Sequence, residues 1–390
     1  MTEAIRLMIV AGEPSGDAHA AALVEAIRAR NSEGDLSFFG ATGPQMRANS
    51  VESIVHSDDL SILGLLEIGR ALPKFWQAFK ALKQAALERK PHAVIFVDWP
   101  DFNLRLARAL HRRGFKTIYY ISPQLWAWRS HRARAIRRDV DLLLAILPFE
   151  PEWYAGRGVP QVEFVGHPFA GEVRARYGKE EFCRLHNLDP GRPIIALLPG
   201  SRLQELERIL PPMLKSAEVV TSQRGDVQFV LVVAPNRTTV EAERILTSTD
   251  NGSRLMELRL VHHETREALA ACDVAAIASG TATLEAALLS TPMVIVYKES
   301  TINWHILGRL ITADHYGLVN LIAGRRVVTE LMQNDLNGPD LARELIRLLA
   351  TERNAAVRKE LQEITAQLGD GGASQRAAAR ILSALKNWRN

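Results

Sequence analysis

The stretch ASGTATLE, Ala278 to Glu285, stands between the apolar runs Val274 to Ile277 and Met293 to Tyr297, and it reads as strand, tight turn, helix. Gly280 lets the backbone turn sharply and approach a ligand, and Ser279, Thr281 and Thr283 offer hydroxyl caps to a helix beginning at about Thr281. The N-terminus of such a helix presents N–H groups and the positive end of the helix dipole, which together favour a phosphate or diphosphate. Glu285 falls about one helical turn further on, where its carboxylate can accept hydrogen bonds from a ribose diol without facing the phosphates. A nucleotide fits that pattern, although an ordinary capped helix in an α/β sheet would carry the same residue types.

Outward from this stretch, short apolar runs alternate with helical segments. In the first half they are Ile5 to Ala11, Leu36 to Gly40, Ala93 to Val97, Thr117 to Ile121 and Leu142 to Leu147. After Val165-Gly166-His167-Pro168 the rhythm restarts with Ile194 to Leu198, Gln228 to Val233, Leu255 to Leu260, Val274 to Ile277 and Met293 to Tyr297. The expected fold is α/β, with two Rossmann-like domains facing a cleft: residues 1–168 for an acceptor and 169–350 for a nucleotide, hinged at the glycine and proline of the junction. Residues 351–390 read as helices that are candidates to cross back onto the first domain. A chain of 390 residues, 47% hydrophobic and 24% charged, can fill two such cores.

No apolar run reaches the ~18 to 20 residues of a membrane span, and the N-terminus enters a strand without a cleavable signal, so a cytoplasmic protein is expected. The two cysteines, Cys183 and Cys272, lie far apart, and no disulfide is expected. A net charge of +4 and a pI near 9.1 point mildly to anionic partners: phosphates, anionic lipid or nucleic acid.

Several further loops follow strands and carry polar groups. AGEPSGD, Ala11 to Asp17, enters a helix with Ser15 or Asp17 as its cap; its glycines are too loosely spaced for a dinucleotide fingerprint. FVDWPDFN, Phe96 to Asn103, sets Asp98 at the carboxyl end of a central strand, an address for a catalytic carboxylate, while Asp101 suits a helix cap. SPQLWAWR, Ser122 to Arg129, places Trp128 and Arg129 before a basic segment, where an indole can stack on a sugar and an arginine can bind a phosphate. In LLPGSRLQE, Leu197 to Glu205, Arg202 can offset charge on a diphosphate leaving group, and Asn320 lies in a loop-rich region suited to closing the same site. Leu65, Leu66, Ile68 and Trp76 belong to an apolar helical stripe flanked by Lys74, Lys80 and Lys83; it can be core, or a surface that meets acyl chains and anionic lipid. No histidine set has metal-ligand spacing, so no metal or other cofactor is expected.

AGEPSGD, FVDWPDFN, SPQLWAWR, LPFEPEWY, VGHP, LLPGSRLQE, ASGTATLE and LVNLIAGRRVVTELMQ together, in this order and over nearly the whole chain, resemble the lipid-A-disaccharide synthase family. The resemblance implies a glycosyltransferase-B fold and a metal-independent, inverting transfer of 2,3-diacylglucosamine from UDP to the 6-hydroxyl of 2,3-diacylglucosamine 1-phosphate (lipid X). It also implies peripheral attachment to the cytoplasmic face of the inner membrane, with no nucleic-acid partner. Carried over residue by residue, it makes Asp98 the base, puts Arg202, Ser279, Gly280, Thr281, Glu285 and Asn320 on the UDP side, and places Ser15, Asp17 and Trp128 in the cleft. Val319 and Thr329 stand where proline is usual and Ala20 where glycine is usual, which touches loop geometry only. A UDP-N-acetylglucosamine 2-epimerase or an undecaprenyl-linked N-acetylglucosaminyltransferase would share the fold and the UDP site but lack SPQLWAWR and FVDWPDFN. A nucleic-acid-binding protein would instead use the arginine segment.

Overall fold

A computed structural model describes residues 4–31, 35–60, 68–248, 258–300, 304 and 315–389. The chain divides into two compact units, Met1–Pro168 with Leu368–Asn390, and Phe169–Gln367.

The first unit is built on a seven-stranded sheet ordered β3-β2-β1-β4-β5-β6-β7. Its strands are β1 (Ile5–Ala11), β2 (Leu36–Thr42), β3 (Glu52–His56), β4 (Ala93–Val97), β5 (Thr117–Tyr120), β6 (Leu142–Ala145) and β7 (Val162–Phe164). Every pairing among them is parallel, which explains the continuous apolar runs: the central strands are buried on both faces. The chain winds to one side of β1 through β2 and β3, then returns to β4 and winds to the other side. The helix Ala373–Arg389 completes one face, laying Ala377, Ala378, Ile381 and Leu385 in a core shared with Leu23, Val24 and Ile27 of the helix Pro14–Arg30. Arg376 Nε donates to the Val165 carbonyl at 2.7 Å, and Arg380 pairs with Glu163. The tail divides at Leu368 rather than at residue 351, because the helix Thr351–Ala366 packs on helices of the second unit.

On the other face lies the helix Ile68–Arg89. Its apolar stripe is split: Ala78, Leu82 and Ala86 are buried, and Phe75 and Phe79 pack against the core, whereas Leu72 and Trp76 are 61% and 58% exposed. Leu65, Leu66 and the side chain of Ile68 lie outside the described residues.

The second unit carries a six-stranded parallel sheet ordered β10-β9-β8-β11-β12-β13. Its strands are β8 (Ile194–Leu198), β9 (Gln228–Val233), β10 (Leu258–His262), β11 (Val274–Ala278), β12 (Met293–Tyr297) and β13 (Thr329–Met332). From β8 the chain winds outward through β9 and β10, and from β11 through β12 and β13, so β8 and β11 form the switch point of this sheet as β1 and β4 do in the other. Crevices at the carboxyl ends of strands form at such points because the loops on either side diverge. The stretch expected to be loop-rich, residues 318–333, instead contains the helix Leu318–Ala323 and the edge strand β13.

Candidate active site

In the second unit the loops after β8 and β11 enclose a cavity of about 380 Å³. Gly200, Ser201, Arg202 and Glu205 line it from one side, Ser279, Gly280, Thr281 and Glu285 from the other, with Thr265 and the end of β9 completing the wall. Five of the expected nucleotide-side residues therefore meet in one crevice at the switch point.

Each loop has a local reason for its shape. Gly200 sits at φ +115, and a Cβ there would come within 2.5 Å of the Glu205 carboxylate, so only glycine fits. That carboxylate is in place because Glu205 Oε2 accepts from the main-chain N–H groups of Ser201 (3.0 Å) and Arg202 (3.2 Å), capping the helix Leu203–Gln223. Its other oxygen accepts from Arg202 Nη1 at 3.2 Å, while the rest of the Arg202 side chain, 78% exposed, reaches into solvent.

Across the cavity, the helix Thr281–Leu288 begins with no side-chain cap. The hydroxyl capping expected of this stretch does not occur: Thr283 Oγ1 donates back to the Gly280 carbonyl at 2.7 Å, and Ser279 Oγ makes a long contact, 3.5 Å, to the Tyr316 carbonyl. The Thr283 N–H is taken by the Gly280 carbonyl at 3.2 Å, which leaves the Thr281 and Ala282 N–H groups, beside the cavity and with no side-chain cap, for an anion. Gly280 also differs from expectation. Its φ of 161 is extended backbone that any residue adopts, and nothing stands within 4 Å of where a Cβ would be. Its want of a side chain keeps the cavity open. Glu285, one turn along, is mostly buried, and its Oε1 accepts from Arg266 Nε at 2.8 Å.

Asn320 is not among the residues lining this cavity. Fully buried, it accepts from the N–H groups of Val327 (2.8 Å) and Val328 (3.0 Å) through Oδ1 and donates through Nδ2 to the Val328 carbonyl (2.9 Å) and Glu330 (2.8 Å). Glu330 in turn accepts from the N–H groups of Tyr316 (3.1 Å) and Gly317 (2.9 Å), so this network braces the segment behind Ser279.

In the first unit, Asp98 follows β4 at the switch point beside β1. Asp98 and Trp99 hold consecutive left-handed conformations, φ 49 and 52, a combination that costs roughly 1 to 3 kcal/mol per residue and persists only when the surroundings impose it. Here they do: the Asp98 carbonyl accepts from Tyr119 Oη (2.6 Å) and Asn103 Nδ2 (2.7 Å), and the Trp99 indole stacks on Phe102 at 4.1 Å. Trp99 also lies flat on Gly12, where a Cβ would come within 2.0 Å of the indole. Burial raises the Asp98 carboxyl above the usual aspartate range, and the Trp99 N–H partly opposes the shift.

The remaining first-unit residues are placed as follows. Asp17 is buried and does not cap its own helix; Glu13 stands at that N-cap, with Pro14 in the first turn. The Asp17 carboxylate accepts instead from the N–H groups of Gly43 (2.9 Å), Gln45 (2.8 Å) and Met46 (3.2 Å), so it braces the helix Pro44–Ala48 from across the sheet top. Ser15 is exposed in the first turn. Trp128 is 43% exposed, and the Arg129 guanidinium lies 3.7 Å over its ring while donating to Asp101 at 2.7 Å. Burial pushes the Asp101 carboxyl up, but Arg132 and Arg129 together outweigh it and hold the group below its usual range.

Glu150 had no assigned role from sequence. It is fully buried beneath the Ser122–Arg129 loop, accepts from the Trp126 indole (3.2 Å) and the N–H groups of Ile146 (3.2 Å) and Leu147 (3.0 Å), and is pushed up to about 7 by burial, against the pull of those hydrogen bonds. Among the described residues no group of three or more His, Cys, Asp or Glu could hold a metal ion, and no helix is long and apolar enough to cross a membrane.

A family model described as lipid-A-disaccharide synthetase matches residues 7–383. The chain is 40% identical over 382 residues to the lipid-A-disaccharide synthase of Geobacter sulfurreducens, covering 97% of each, and 42% identical over 383 residues to that of Anaeromyxobacter dehalogenans, covering 98% of each. Among solved structures, a UDP-GlcNAc 2-epimerase from Neisseria meningitidis bound to UDP-GlcNAc superposes with a TM-score of 0.65 at 11% identity, over 97% of this chain and 100% of that one. Sucrose-phosphate synthase from Thermosynechococcus elongatus does so with a TM-score of 0.62 at 16% identity, over 99% and 100%. These structural likenesses give the glycosyltransferase-B fold, which epimerases share, and it is the sequence match along the whole chain that separates the alternatives: this chain belongs to the lipid-A-disaccharide synthase family of glycosyltransferases.

Proposed function

We propose that the chain transfers 2,3-diacylglucosamine from UDP to the 6-hydroxyl of 2,3-diacylglucosamine 1-phosphate, inverting the anomeric centre and releasing UDP. The observation that carries this reading is the convergence of Arg202, the N-terminus of the helix Thr281–Leu288 and Glu285 on one cavity at the β8/β11 switch point. The diphosphate would lie on the first-turn N–H groups, with the Arg202 guanidinium, held to Glu205 through Nη1, offsetting charge through its other N–H groups as the C1–O bond breaks, and Glu285 would accept from the ribose. These groups are fixed before the reaction, so they stabilise a leaving group without a divalent ion.

Inversion takes a single displacement, hence one base and no enzyme nucleophile. Asp98 is the carboxylate proposed for that step. Its raised proton affinity favours accepting the acceptor's hydroxyl proton, and its main chain is held rigidly by Tyr119 and Asn103. Trp128, exposed beside Arg129, is proposed to contact the acceptor sugar. Work on two acylated substrates suits attachment to the cytoplasmic face of the inner membrane, for which the exposed pair Leu72 and Trp76, with Lys80 Nζ 5.1 Å from the Trp76 ring centroid, is the candidate contact. The test is incubation with both purified lipids in the presence of EDTA: stoichiometric disaccharide 1-phosphate and UDP are expected, and absence of both defeats the proposal.

A further inference from the structure

Two of the three charged residues lining the β8/β11 cavity are acidic, Glu205 and Glu285, against one arginine, Arg202. Such a lining repels a diphosphate unless each carboxylate is countered. Arg202 counters Glu205 at 3.2 Å, and Arg266 counters Glu285 at 2.8 Å. Arg266 stands in the first turn of the helix Thr265–Ala271, next to Thr265, which lines the cavity. A glutamate on a helix samples several rotamers when unpaired, and some of them leave the cavity. The bond from Arg266 Nε to Oε1 restricts that choice and uses only one of the two oxygens, so Oε2 keeps its capacity to accept from a hydroxyl.

We propose that Arg266 is a positioning residue that holds Glu285 in the orientation in which it reads the ribose 2′-hydroxyl, and that it cancels the Glu285 charge beside the diphosphate. The inference rests on the nucleotide reading of this cavity and adds to it a residue outside the cavity lining that sets sugar selectivity.

The experiment titrates UDP and 2′-deoxy-UDP into the full-length protein and its Glu285→Ala, Arg266→Ala and Arg266→Lys variants, with thermal unfolding measured alongside. Wild type should prefer UDP by about ten- to a hundredfold, the usual scale for one hydrogen bond to a charged group. In Glu285→Ala and Arg266→Ala the preference should fall toward one while UDP itself binds more weakly, and Arg266→Lys should recover part of it. A folded Arg266→Ala variant that weakens both nucleotides equally, or neither, keeps the preference and overturns the proposal; Arg266→Gln repeats the test should the alanine variant unfold. Failure of wild type to bind UDP defeats the nucleotide reading itself. Retention of the preference in Glu285→Ala shows that another group reads the ribose, and the role given to Arg266 falls with it.

Discussion

Replacing Asp98 by asparagine separates catalysis from structure at the most constrained point of the first unit. The two side chains are nearly isosteric, and asparagine tolerates the left-handed conformation at φ 49 at least as well as aspartate. The bonds that fix this turn run through the Asp98 main chain: its carbonyl accepts from Tyr119 and Asn103, and its N–H donates to the Tyr120 carbonyl at 3.3 Å. All survive the exchange. Because burial raises the carboxyl's folded pKa above its unfolded value, its contribution to stability is present below the unfolded pKa and is lost as pH rises through the folded one. At pH 7 the ionised group therefore costs stability, and Asp98→Asn should unfold at the same or a higher temperature than wild type. A positioned general base contributes roughly 10² to 10⁴ in rate, about 3 to 5 kcal/mol of barrier, so turnover should fall by that factor with UDP affinity unchanged. The acid limb of the wild-type pH–rate profile should lie above the ordinary aspartate range and vanish in the variant. A stable Asp98→Asn protein with near-normal turnover refutes the assignment. Glu13, Asp17 and Asp101 would then be the carboxylates to test in its place.

Three further outcomes are expected. Arg202→Ala and Glu285→Ala should each weaken UDP binding by roughly 1.5 to 3 kcal/mol in calorimetry, the usual worth of a hydrogen bond to a charged group. Glu150→Gln should flatten the pH dependence of stability: with its pKa raised to about 7, wild type loses stability as pH climbs from about 5 to 8, by at most about 3 kcal/mol, whereas the variant should hold its unfolding temperature over that window. Leu72→Ser with Trp76→Ser should abolish sedimentation with anionic phospholipid vesicles and leave thermal unfolding unchanged, since both side chains are exposed; a lower unfolding temperature would make them core residues instead.

The central strands could be read from sequence because strands buried on both faces must be apolar throughout, as Ala93–Val97 and Ile194–Leu198 are. The edge strands of the first unit could not. β3 is half-exposed along Glu52–His56 and β7 along Val162–Phe164, so their composition follows solvent on one side and gives no continuous run. The cavity was legible where one short stretch carries its own geometry, as in ASGTATLE. Pairings between distant segments were not: Asp17 looks like a cap for its own helix until the Gly43 N–H, 26 residues on, takes its carboxylate. Asn320 looks like a ligand group until the strand Thr329–Met332 brings Glu330 to it. Glu150 draws no reading from the sequence and proves to be a buried clasp on the Ser122–Arg129 loop.

The most direct test of where the nucleotide lies is a UDP titration of Gly280→Val against wild type, with thermal unfolding as control. The backbone at Gly280 is extended and the space before it is open, so valine is compatible with the fold and puts its methyl groups into the cavity over the helix N-terminus. If UDP lies across the carboxyl ends of β8 and β11, wild type binds it and the variant, unfolding at the same temperature, does not. Undiminished UDP binding by a folded Gly280→Val protein would place the nucleotide elsewhere and contradict the assignment of this cavity.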